Sequence, residues 1–202
     1  EGVGTEVDPT TLTTQEILEK VKAAGIVGLG GAGFPTHVKL APKDPTAIKY
    51  VIANGAECEP YITCDDQLMR NYADEIVGGL KIMLQLFPNA EGVVLIEENK
   101  PEAIAAVQKA CSNENNIHVH PVHVKYPQGG ERAIMDVVAG KHIKLGMLPA
   151  DVGVILSNVT TIAFIGQYLE TGRPLTTKRV TVDGNAVAEP KNIIVPIGAR
   201  IA

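Results

Sequence analysis

Apolar positions in this chain fall into two kinds of run. Residues 50–54, 92–96 and 152–156 are short, nearly continuous apolar blocks, as expected of strands buried on both faces of a parallel sheet. Residues 117–125 read as a further strand with more polar character. Between the blocks the apolar positions recur at helical spacing. Ile17, Leu18 and Val21 form one stripe, opened by Thr13-Thr14-Gln15-Glu16 as a capping box and stopped at Gly25. Asp65 reads as the cap of a short helix reaching Tyr72. Ile76, Val77, Leu80, Leu84 and Phe87 mark a longer one over 73–87, interrupted by Gly78-Gly79, which suggests close packing. Pro101 opens a helix to Cys111, and Asn158-Val159-Thr160-Thr161 caps one through Leu169. Strand and helix alternate, so the pattern predicts an α/β fold, a three-layer α/β/α Rossmann-like sheet over residues 13–177. Residues 1–12 read as a linker. From Lys178 the pattern changes. Residues 179–185 begin a hairpin and 192–196 form a strand, so 178–202 read as the start of a truncated, small β-rich, β-grasp-like domain.

Composition narrows the function classes. The chain has 202 residues, 45% of them apolar, and a net charge of −5, which argues against non-specific nucleic-acid binding. Trp is absent and aromatics are 4%, so no base-stacking platform is expected. No apolar run approaches the ~18 residues that a membrane span needs. The first fourteen residues are polar and acidic, unlike a signal peptide, and without an initiating Met the chain reads as an excised fragment. Cys58, Cys64 and Cys111 show no Cys-x-x-Cys spacing, which reads as free thiols in a reducing compartment.

The chemistry is concentrated in Gly25-Ile26-Val27-Gly28-Leu29-Gly30-Gly31-Ala32-Gly33-Phe34-Pro35-Thr36-His37-Val38-Lys39, with five glycines in nine residues. Such a loop running into a helix aims several N–H groups at one place, where a phosphate or a flat ring can sit. Pro35 suits a first helical turn, Thr36 offers a hydroxyl and Lys39 a cation. A tight structural turn is the competing reading. The spacing is not the dinucleotide Gly-x-Gly-x-x-Gly followed by an acid ~20 residues later. Three more segments open helices or follow strands: 54–60, 129–134 and 158–161. Ligands in open α/β sheets bind beyond the carboxyl ends of strands, so the four segments together outline an anion cradle rimmed by carboxylates. His118, His120 and His123 lie in the polar strand; a polar face is the preferred reading over a metal site, because no Cys or carboxylate is close in sequence.

Taken in order, these motifs resemble a known family. Gly28-Leu29-Gly30-Gly31-Ala32-Gly33-Phe34-Pro35-Thr36 is similar to the flavin loop of the NADH-oxidising flavoprotein subunit of respiratory complex I. Asn54-Gly55-Ala56-Glu57-Cys58-Glu59-Pro60, Gly130-Glu131 and Asn158-Val159-Thr160-Thr161 resemble its later motifs. The variants His37-Val38-Lys39-Leu40 and Tyr61-Ile62-Thr63-Cys64-Asp65-Asp66 look most like RnfC, the peripheral subunit of Rnf ion-translocating ferredoxin:NAD oxidoreductases. The resemblance implies non-covalent FMN held by Gly28, Gly30, Gly31, Gly33 and Lys39, with Lys39 near the phosphate. It implies Asn54 and Glu57 against the ring, and Gly130, Glu131, Asn158 and Thr161 completing the pocket. Phe34 and Glu59 are the candidates on the NAD(H) side, with Lys144 at the adenosine; core packing is the alternative for Phe34. Two departures stand out: complex I has Arg where this chain has Leu29, and residues 144–149 lack the aromatic of its adenine pocket.

The implied activity is hydride exchange between NAD(H) and FMN, with single electrons passed to 4Fe-4S clusters outside this chain. The implied partners are the other Rnf subunits and ferredoxin, at the cytoplasmic face of the membrane, with no direct insertion. Soluble relatives such as a cobalamin reductase or the electron-transfer protein of proline reductase share these motifs. A cofactor-free assembly module would share the fold but ignore added FMN.

Overall fold

The computed structural model describes residues 7–140 and 146–200. In chain order the elements are α1 (Thr14–Ala23), α2 (Thr36–Lys39), β1 (Tyr50–Gly55), α3 (Cys64–Asn71), α4 (Ala73–Leu84) and β2 (Glu91–Glu97). Then come α5 (Pro101–Ala110), β3 (Ile117–Val122), α6 (Glu131–Ile134), β4 (Val154–Asn158), α7 (Val159–Thr171), β5 (Thr177–Val182) and β6 (Lys191–Pro196). A π-helical turn, Met135–Ala139, prolongs α6.

β1 to β4 form one parallel sheet in the order β3-β2-β1-β4. The order follows from crossover handedness. Right-handed connections from β1 to β2 to β3 step one way and keep their helices on one face; the step back to β4 must cross on the other. The core divides accordingly. Val51, Ala53, Val94, Ile96 and Ile155 pack with α1, α3, α4, α5 and α7. Ile52, Val93, Leu95, Val154 and Leu156 face the opposite side, where Ile134 and Met135 of the α6 segment cover them. The three layers are therefore present but uneven. The reversal between β1 and β4 opens a crevice at their carboxyl ends, the position at which such sheets bind ligands.

Local chemistry sets the ends. The Thr13 hydroxyl accepts from the Glu16 N–H at 3.3 Å and the Glu16 carboxylate accepts from the Thr13 N–H at 2.8 Å, which closes the capping box of α1. β4 begins two residues later than the pattern suggests, because Pro149–Val152 makes a 3-10 turn that Gly153 ends at φ +85°. β3 stops at Val122 and is an edge strand, where Pro121 costs no ladder bond. That edge position accounts for its polar character: His118 is exposed, and His123 beyond the strand pairs with Glu98 at 2.8 Å.

α4 and α7 cross very closely. A Cβ on Gly79 would fall on the Ile162 carbonyl, and one on Gly166 would lie 3.1 Å from the Gly79 Cα. A Cβ on Gly78 would meet nothing within 4 Å, so only the second glycine of the pair serves the crossing. β5 and β6 form a separate antiparallel pair. It meets the body at Thr63, whose N–H donates to the Thr181 hydroxyl at 3.1 Å and whose carbonyl accepts from the Asn192 amide at 3.2 Å. Within the stretch expected to be a linker, Val7 donates to the Glu170 carbonyl and Pro9–Thr11 forms a 3-10 turn. Among the described residues no helix is long and apolar enough to cross a membrane.

Candidate functional site

A cleft of about 300 Å³ opens at the β1–β4 reversal. Its walls are the glycine loop (Gly28, Gly30, Ala32, Phe34), the ends of β1 and β4 (Asn54, Ser157, Asn158), and the turn into α6 (Gly129, Gly130, Glu131).

The glycine loop is a small hairpin pinned at its base. Val27 bridges to Pro35, the Gly28 N–H donates to the Phe34 carbonyl at 2.9 Å, and the Thr36 N–H donates to the Ile26 carbonyl at 3.0 Å. The Leu29 N–H is spent on the buried Thr161 hydroxyl at 2.9 Å, which ties the loop to α7. Beyond that point the ladder stops. Among the described residues, no protein group accepts from the amides of Gly30, Gly31, Ala32 or Gly33. Gly31 turns the tip at φ +121°, a conformation that a side chain strains. Gly30 has a different reason: its Cβ would press to 3.1 Å on that of Asn158.

Two asparagines stand at the carboxyl ends of the central strands, Asn54 one residue before the end of β1 and Asn158 at the end of β4, and both amides are fixed by what they bond. Asn54 accepts from the Ala56 N–H at 3.1 Å and donates to the Gly129 carbonyl at 3.0 Å. Asn158 caps α7 by accepting from the Thr160 N–H at 2.9 Å and donates to the Asp65 carboxylate at 2.6 Å. Each amide nitrogen carries two hydrogens, and each has one left. Gly129 must be glycine here, since a Cβ would lie 2.5 Å from the Ala56 carbonyl.

Lys39 crosses the cleft. Its ammonium donates to the Leu156 carbonyl at 2.8 Å, pairs with Glu131 at 3.2 Å, and lies 5.8 Å from the centre of the Phe34 ring. A half-exposed pair of this kind is weak in water, so the cation is free to serve an incoming anion.

Behind the cleft lies a denser polar layer. Here the reading of Asp65 as a helix cap is corrected: α3 starts at Cys64, with Thr63 rather than Asp65 at the cap position, and its free N–H groups go to Glu57. The Glu57 carboxylate accepts from the Asp65 N–H at 2.8 Å and the Asp66 N–H at 3.1 Å, with the Cys64 thiol at 3.6 Å. Asp65 instead receives the Thr160 hydroxyl at 2.7 Å as well as Asn158. Burial raises the Glu57 carboxyl above its ordinary range, against the pull of the two N–H donors. Burial also raises Asp65, opposed by its bonds to Thr160 and Asn158. Burial and these two acids push the Cys64 thiol up to about 11. Glu57, Cys64 and Asp65 are close enough together for a metal, but their bonds within the protein already engage them. Glu97 adds a nearly fully buried carboxylate, paired with Lys100 at 2.7 Å, and Lys100 also reaches the Glu57 carbonyl at 3.4 Å.

Of the residues expected at a site, the structure brings Gly28, Gly30, Phe34, Lys39, Asn54, Gly130, Glu131, Asn158 and Thr161 together around the cleft. Gly31 and Gly33 form the exposed loop tip, Glu57 stands behind the cleft on the turn after β1, against the start of α3, and Glu59 is exposed outside it. Lys144 lies outside the described residues. Sequence reading missed Asp65 as a partner of Asn158, Gly129 as the seat of Asn54, and the Leu156 carbonyl under Lys39. A second, more apolar cavity of about 580 Å³ adjoins the first, sharing Ala32, Phe34, Lys39, Glu131 and Leu156. Val38, Pro42, Leu148, Pro149 and Ala150 line its far part.

The family model described as the Nuo51 FMN-binding domain matches residues 21–167. The chain is 42% identical over 198 residues to a subunit of the proton-translocating ferredoxin:NAD(+) oxidoreductase complex of Clostridium ljungdahlii, covering 98% of this chain and 43% of that protein. It is 43% identical over 182 residues to the corresponding subunit of the Na(+)-translocating complex of Acetobacterium woodii, covering 90% and 41%. The chain thus spans less than half the length of these relatives. Among solved structures, a chain of an NAD+-reducing NiFe-hydrogenase in the air-oxidized state superposes with a TM-score of 0.77 at 23% identity, over 92% of this chain and 37% of that one, which establishes the shared fold.

Proposed function

The chain belongs to the family of the Nuo51 FMN-binding domain, and on that footing we propose that its cleft binds FMN and that the adjoining apolar cavity receives NAD(H). The observation that carries the reading is the glycine loop: consecutive amides without a protein acceptor among the described residues, along a cleft at the sheet's reversal point. The residues present fit such a ligand. A Cβ at Gly30 would fill space beside Asn158, and the cleft volume lies in the range of small-molecule sites. When bound, FMN supplies the ability to take electrons as a pair and release them singly.

The chain's own part is to bind, orient and shield. The loop amides and Lys39 would counter the phosphate charge. Asn54 and Asn158 would offer fixed N–H donors to the ring, and because their orientation is set beforehand, no ordering is needed on binding. Gly130 and Thr161 would close the pocket. Phe34, at the junction of the two cavities, would separate them and exclude water on the NAD(H) side. Glu57, behind the cleft, would act on the ring by its charge rather than by contact.

Both relatives are named as subunits of ion-translocating ferredoxin:NAD(+) oxidoreductase complexes. We read this chain as the corresponding part of such an oxidoreductase and translocase subunit, peripheral at the cytoplasmic face of the membrane. The 4Fe-4S clusters, the contact with ferredoxin and the ion path then belong to segments and subunits outside these residues. The test is an FMN titration followed by fluorescence quenching, then anaerobic addition of NADH with the flavin absorbance monitored. Tight quenching and bleaching are expected. Absence of quenching would remove the flavin reading, and quenching without bleaching would remove the NAD(H) part.

A further inference from the structure

The two asparagines of the cleft are held differently. Asn54 donates to a neutral carbonyl, Gly129, at 3.0 Å. Asn158 donates to a carboxylate, Asp65, at the shorter distance of 2.6 Å. The acid comes from another element, α3, 93 residues away in sequence, and its second oxygen holds the Thr160 hydroxyl at 2.7 Å. The Asn158 oxygen is already taken by the Thr160 N–H at 2.9 Å. The amide therefore cannot flip without losing both bonds: a flip would set its oxygen against a carboxylate and its nitrogen against an N–H. One Asn158 hydrogen remains, on a side chain that lines the cleft beneath Gly30. A hydrogen bond to an ionised acceptor is about twice as strong as a neutral one, and it polarises the group that donates it.

We propose that Asp65 is a positioning residue that acts through Asn158, fixing an N–H toward the cleft so that the site selects a ligand acceptor atom there. The proposal rests on the FMN reading of the cleft. The competing role is purely structural, with Asp65 tethering α3 to the first turn of α7. Thr160 separates the two roles, because it carries the tether without reaching the cleft through Asn158.

The experiment uses the whole 202-residue chain, with folding checked by circular dichroism. Asp65→Asn keeps the size but leaves one acceptor oxygen where two donors now converge. It should weaken FMN binding roughly tenfold or more. Asn158→Ala should weaken it comparably, and the double variant should be no weaker than Asn158→Ala alone, since both changes remove one interaction. Thr160→Val should leave the Kd within about threefold. Additive losses in the double variant, a wild-type Kd for Asp65→Asn, or an equal loss in Thr160→Val would overturn the proposal. A second readout needs no flavin. In the ligand-free protein the Asn158 side-chain amide should show one proton shifted downfield and slow to exchange with water, and Asp65→Asn should abolish that difference. If wild type ignores FMN, the flavin reading fails, while this NMR signature still decides whether Asp65 orients Asn158. If Asp65→Asn does not fold, the wild-type amide decides: two freely exchanging protons, both at the shifts of a solvent-exposed asparagine, would end the proposal.

Discussion

A methyl group added to Gly79 would fall on the carbonyl of Ile162, and one added to Gly166 would press to 3.1 Å on Gly79. A methyl group added to Gly31 or Gly33 would meet nothing within 4 Å, yet these residues take φ of +121° and +62°. The first pair sits where α4 and α7 cross in the apolar core. The second sits at the tip of an exposed loop whose amides lack protein acceptors among the described residues. Glycine is required for space in one region and for backbone shape in the other. A closed crossing commits its free energy to the fold. A loop that leaves its hydrogen bonds unmade holds them for a ligand.

The largest expected effect breaks the crossing. Gly79→Ala has no soft neighbour to displace, because the clash is with backbone, so it should cost at least ~3 kcal/mol of stability in urea unfolding. FMN affinity of the protein that remains folded should be unchanged. A loss below ~1 kcal/mol would mean that the helices can separate and the contrast is false. Gly31→Ala should reverse the pattern. The strain of about 1–2 kcal/mol has nothing around it to enforce the wild-type shape, so the loop should relax. Stability should then change little while FMN binding weakens roughly tenfold. Full stability loss with unaltered binding would show the loop to be rigid without its ligand.

Lys39→Gln sharpens the comparison on the loop side. Among the described residues its ammonium meets a half-exposed acid, one carbonyl and, at 5.8 Å, the Phe34 ring, so the change in stability should stay within ~0.5 kcal/mol. FMN affinity should fall about tenfold, whereas riboflavin, which lacks the phosphate, should bind as it does to wild type. Equal losses for both flavins would place Lys39 at the ring instead.

Much of this contrast is legible in the sequence, for reasons that can be named. Each buried strand is a short apolar block, and the asparagines near the end of β1 and at the end of β4 mark where the sheet stops and a site can begin. The glycine loop stands out by density, but density does not separate Gly31 from Gly30, whose constraint is contact with Asn158. Nor does it separate Gly78 from Gly79, adjacent in sequence and opposite in surroundings. The α3 cap is misread from sequence because local capping rules reach only about three residues, and within that reach Asp65 qualifies. The group that accepts the α3 amides is Glu57, brought back by the turn that follows β1. Asp65 is thereby released to reach Asn158 across 93 residues, a pairing that no local window contains.

The smallest effect concerns the acids behind the cleft, and its sign follows from burial. Glu57 has a folded-state pKa raised above its ordinary 4.5, because burial outweighs the N–H donors. Asp65 is raised above 3.8 for the same leading reason. A raised acid favours folding while protonated, so its contribution is fully present below the unfolded pKa and is lost as pH rises through the folded value. Wild type should therefore lose part of its stability between about pH 4 and the raised values of these groups. Glu57→Gln removes one of the two titrations and keeps an oxygen for one of the α3 amides. Its urea midpoint should fall less steeply than wild type as pH rises from about 4 to about 7. Parallel curves would mean that the α3 amides hold Glu57 ionised throughout, and that the layer behind the cleft is built for charge, like the loop in front of it, rather than for burial, like the crossing of α4 and α7.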